Sequence, residues 1–142
     1  MNNFPIKLGG EEYWISRSIK IRVILVDESL TSIFAIRDDI MHFAEEYLNY
    51  DETIRDTCQR VTLDKYSYFV SRNNNFNLLT IEDDYLKEKQ DVVLNYYIPV
   101  KNYRPPIFSN IVLIPITDLS KYEWKSNEKE LIEKYLLEPV LD

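Results

Sequence analysis

The sequence predicts a single strand-rich α/β domain, and three observations carry that expectation. The chain has 142 residues, enough for one domain with a self-sufficient core. Apolar, β-branched runs recur along it (IKIRVILV, SIFAIR, VVLNYYIPV, NIVLIPI), and runs of that length and composition read as strands. Helical spacing is confined to a central segment and a C-terminal one.

The elements follow in order. Residues 1–10 form an N-terminal tail. Residues 14–26 predict a strand in which Ile19, Ile21, Val23 and Leu25 alternate with Lys20 and Arg22, giving one wet face at its start. Residues 31–37 predict its hairpin partner, and residues 38–50 an irregular or partly helical connection. Asp51 is a good helix N-cap; Ile54, Cys58 and Val61 then recur at spacings of four and three, one face of a helix running to about Lys65. YSYFVS and FNLLTI predict strands around an RNNN turn, and the acidic stretch from Glu82 a charged connection. Residues 92–100 and 110–116 predict two more strands, separated by an NYRPP loop in which proline excludes helix and ladder donation. SNEKELIEKYLL predicts a terminal helix, with Asn127 and Glu130 as a capping box and Leu131, Ile132, Tyr135 and Leu136 as its buried stripe.

Composition narrows the function classes. The formal charge is −7, with acids exceeding bases in both halves, 12 against 8 through Ser71 and 12 against 9 after it. Nonspecific nucleic-acid binding requires clustered Lys and Arg that displace counterions, so no nucleic-acid partner is expected. The N-terminus lacks a signal-peptide core, and no apolar run approaches the roughly 20 residues that cross a bilayer. A cytoplasmic protein without a membrane partner is expected. Both glycines, Gly9 and Gly10, lie near the start. Phosphate-cradling loops need glycine for positive φ and close backbone approach, which excludes a Walker loop or a dinucleotide fingerprint.

Several words of the sequence, in order, resemble the Nudix hydrolases. GGEEYWISRSI is similar to a "YWISRSV" run in one bacterial branch, EYLNYDET to "GYLDYNET", DVVLNYYIPV to "QNVTLRYYA", and IPITDLSKYEWKSNEKELIEKYL to "IPLDEIDNYEWAFNHDELIKKYL". The likeness spans residues 9–137 without a large insertion. It implies an α/β/α sandwich around a mixed sheet, with a central box helix and a C-terminal helix.

The family signature, G-x5-E-x7-R-E-U-x-E-E-x-G-U with U aliphatic, can be laid on residues 46–68. Glu52 and Arg60 match. Glu46 and Ser67 stand at the two glycines, Val61 at the glutamate after the arginine, Thr62 at the first aliphatic position and Tyr68 at the last. Asp64 and Lys65 fall on the adjacent glutamates that hold Mg2+ or Mn2+ in the family. Mg2+ needs hard oxygen ligands in near-octahedral geometry, and in a pyrophosphate hydrolase such metals neutralise the diphosphate and help make the attacking hydroxide. Val61 offers no donor, and Lys65 places a cation where a carboxylate belongs. At about 4 Å and an effective dielectric of about 20, each unit-charge interaction is on the order of 4 kcal/mol. The expectation is therefore no catalytic residue, metal or cofactor site, with Glu52, Arg60 and Asp64 as remnants of the box.

The remaining candidates have ordinary structural readings. His42, the single histidine, lacks a nearby nucleophile; Cys58, the single cysteine, sits on an apolar face. The acidic groups Asp38–Asp39, Glu45–Glu46, Glu82 to Asp84 and Glu88 could in principle replace lost ligands, but read as solvated charge. Tyr47, Tyr50, Tyr66 and Tyr68 gather around the box, with Tyr96, Tyr97 and Tyr103 further on, and surplus tyrosine marks protein interfaces. The resulting expectation is an inactive Nudix-fold protein serving as a structural or protein-binding module. It would bind another protein, itself or a nucleotide-like ligand, and could belong to a larger assembly such as a phage particle. The alternative is a divergent Mg2+-dependent pyrophosphohydrolase acting on nucleoside diphosphate derivatives.

Overall fold

In a computed structural model of the protein, residues 2–8, 11–71, 76–84 and 90–137 are described. One mixed sheet is flanked by helix on both faces. Its strands are β1 (Asn2–Leu8), β2 (Glu11–Asp27), β3 (Ser32–Arg37), β4 (Met41–His42), β5 (Ala44–Tyr47), β6 (Asn77–Asp84), β7 (Gln90–Val100) and β8 (Ile111–Pro115). The 17-residue β2 is the hub. Along one edge it pairs antiparallel with β1, β5 and β3 in succession; along the other it pairs parallel with β7, from Arg17–Gln90 to Asp27–Val100. β6 then pairs antiparallel with β7, while β4 and β8 pair with β3.

Helix α1 (Ile54–Tyr66) covers one face. Ile21, Val23 and Leu25 of β2 share its core with Cys58, Val61 and Tyr66. The other face carries a 3-10 helix (Ile116–Lys121) and α2 (Glu128–Ile132), which runs on as a π-type turn, Glu133–Leu137. Here Ile24 and Val26 pack with Leu119, Leu131, Ile132 and Leu136. Strand alternation thus feeds two cores from one strand, as the predicted sandwich requires.

Local expectations fail where tertiary pairing overrides local pattern. Residues 2–8, expected as a tail, form β1. Residues 38–50, expected as a connection, contain β4 and β5, because the β2 edge offers β5 a ladder that its Glu pair would not favour alone. The N-cap of α1 is Thr53, not Asp51; its hydroxyl accepts from Asp56 N at 3.0 Å, and Asp56 returns the bond, a complete capping box. YSYFVS is not a strand: Tyr66 closes α1, and residues 67–71 have no regular structure. At α2, Asn127 makes no cap bond and instead donates to Glu82 Oε2 at 2.8 Å. Glu82–Asp84 belong to β6; the RNNN turn, the glycines and Glu88 lie outside the described residues.

Candidate functional site

The loop into α1 and the helix itself are tied by one ion pair. Arg60 donates through Nε to Glu52 Oε2 at 2.9 Å and through Nη2 to Glu52 Oε1 at 3.0 Å, and Nη2 also reaches the Tyr47 carbonyl at 2.9 Å. Glu52 further accepts from Thr57 Oγ1 at 3.1 Å and from Asn49 N at 3.2 Å. The hydrogen-bonded guanidinium holds the Glu52 carboxyl down at about 2. This fork fastens the end of β5, the following loop and the helix into one body. Ser67, at the second glycine position of the box, has φ 55° and donates its N–H to the Leu63 carbonyl at 3.0 Å. The left-handed cap for which glycine is suited is thus kept without glycine.

The metal-holding positions are different. Val61 is fully buried in the core, so its side chain serves packing. Asp64 is exposed. Lys65 Nζ lies 3.2 Å from Glu46 Oε1, joining two box positions at which the sequence departs from the pattern. The Mg2+ that the resemblance implies does not fit: an approaching cation would meet an ammonium already bound to the neighbouring carboxylate. Among the described residues, no three His, Cys, Asp or Glu side chains converge as metal ligands.

On the opposite face lies a buried charge cluster that the sequence reading placed in solvent. Arg22 is 6% exposed. It donates to Glu45 Oε2 from Nε at 3.2 Å and from Nη2 at 3.0 Å, and to Asn95 Oδ1 at 2.9 Å. Glu82 Oε1 lies 3.6 Å from Nη1 and accepts from Asn95 at 2.7 Å. Glu128 Oε1 is 3.4 Å from Arg22 Nε and accepts from Phe43 N at 3.0 Å. Lys125 binds Glu45 at 2.8 Å, with Lys20 at 3.6 Å. Burial pushes the Glu128 carboxyl up to about 7, while Glu45, despite its own burial, is held below its ordinary value by Lys125, Arg22 and Lys20. The one available signal was an arginine inside a long apolar strand, since buried charge requires partners, and Lys20 two residues before it masked that signal. Beside the cluster, Thr80, Glu82, Asn127, Leu131 and Tyr135 help line a cleft of about 170 Å³, below the roughly 300–1,000 Å³ usual for small-molecule pockets.

The other candidates make local structural contacts. His42 Nε2 pairs with Asp38 at 2.6 Å. Burial pushes the Cys58 thiol up to about 12, making it unreactive. Tyr66 is fully buried, donates to the Val23 carbonyl at 2.7 Å and accepts from Ala44 N at 2.9 Å. It is therefore a core strut, whereas Tyr50 is wholly exposed.

This sandwich, with its loop-anchored box helix, is the Nudix/MutT fold. The E. coli ORF135 protein superposes with a TM-score of 0.69 at 10% identity, over 89% of this chain and 94% of that one. A MutT/nudix family protein from Enterococcus faecalis gives 0.66 at 12% identity, over 89% of this chain and 63% of that one. Shewanella oneidensis NrtR, solved with a 27mer DNA, gives 0.64 at 12% identity, and the chain spans 59% of its length. No protein-family model matches the sequence, and no curated protein matches it. At these identities the likeness establishes the fold alone. Among the described residues, no helix is long and apolar enough to cross a membrane.

Proposed function

We propose that this Nudix-fold protein has given up metal-dependent pyrophosphate hydrolysis and works as a structural or protein-binding module, as a component of a larger assembly would. The observation that carries this reading is the Lys65–Glu46 ion pair. It puts a cation of the protein's own where a divalent ion would need an open carboxylate, while the Glu52–Arg60 fork preserves the frame around it. Frame kept and ligands replaced is the pattern of a box selected for shape. The chain's acidity weighs against a role on DNA.

The test is calorimetric titration with Mg2+ and Mn2+, together with incubation of the protein with ADP-ribose, nucleotide sugars and dNTPs in their presence. The expected outcome is neither micromolar metal binding nor release of phosphate or mononucleotide. Metal-dependent turnover would overturn the proposal in favour of a divergent hydrolase. A Glu46→Gly/Lys65→Glu double variant, which restores two box positions, should bind the metals more tightly than wild type. If it does not, the charge argument fails.

A further inference from the structure

We draw no further inference here: the strongest candidate, the open apolar edge of the sheet at β8 with the exposed Ile107–Phe108 turn beside it, is unpartnered among the described residues, and nothing in the structure shows what covers it.

Discussion

Arg22 and Glu128 meet in the interior with Nε 3.4 Å from Oε1, yet the carboxyl is pushed up to about 7. Loss of hydration outweighs the nearby guanidinium, which Glu45 and Glu82 already engage. The folded state thus binds a proton that the unfolded chain releases near 4.5, and linkage makes stability fall as pH rises between those values. Glu128→Gln should remove that slope. Melting temperatures from pH 5 to 8 should show wild type losing ground to the variant up to about pH 7, then running parallel to it. A difference independent of pH would refute the assignment.

The Glu52–Arg60 fork has the opposite sign. With the Glu52 carboxyl held near 2 by Arg60, its contribution is complete above the unfolded value of about 4.5 and is lost as pH falls towards 2. Arg60→Gln should therefore be least stable, relative to wild type, near neutral pH, and the gap should narrow in acid. Carbon-detected NMR titration of the Glu52 carboxyl should move from a midpoint near 2 to the ordinary range.

Tyr66→Phe deletes a single oxygen that satisfies two buried backbone groups, the Val23 carbonyl and the Ala44 N–H. Leaving such groups unpaired costs about 1–3 kcal/mol each at most, and a loss of about 2–4 kcal/mol in urea unfolding is expected. A loss below 1 kcal/mol would mean that water replaces the hydroxyl.

Ser67 occupies the left-handed region at φ 55°, where a side chain costs roughly 1–2 kcal/mol. Ser67→Gly removes that cost but gives the unfolded chain more freedom. A net gain of about 0.5–1 kcal/mol is expected, read as a rise in the urea midpoint at unchanged slope.

How far the fold could be read from the sequence follows from where the information lies. β2, β3, β7, β8 and α1 announce themselves because runs such as IKIRVILV and the Ile54–Cys58–Val61 stripe match the burial they meet. β5 and β1 do not, because their pairing belongs to the exposed edge of β2 rather than to their own residues. At the site, Glu52 and Arg60 were legible from spacing, and their contact is direct. The Arg22 cluster was not. Its partners come from β5, β6, β7 and α2, and strand alternation at Lys20 and Arg22 mimics a solvated face. Glu128, the most deeply buried acid of the cluster, sits in a helix turn whose neighbours Lys129 and Glu130 look like any surface sequence.

The hub position of β2 also bears on how the chain reaches this state. Its parallel ladder to β7 joins residues separated by 73 positions, as in Arg22 with Asn95, so the central pairing closes a very long loop before its contacts reward it. β1, β5 and β3 all need β2 in place. Little of the sheet can therefore persist without the rest. Folding should be slow, and loss of the β2–β7 seam should dismantle the domain in a single step.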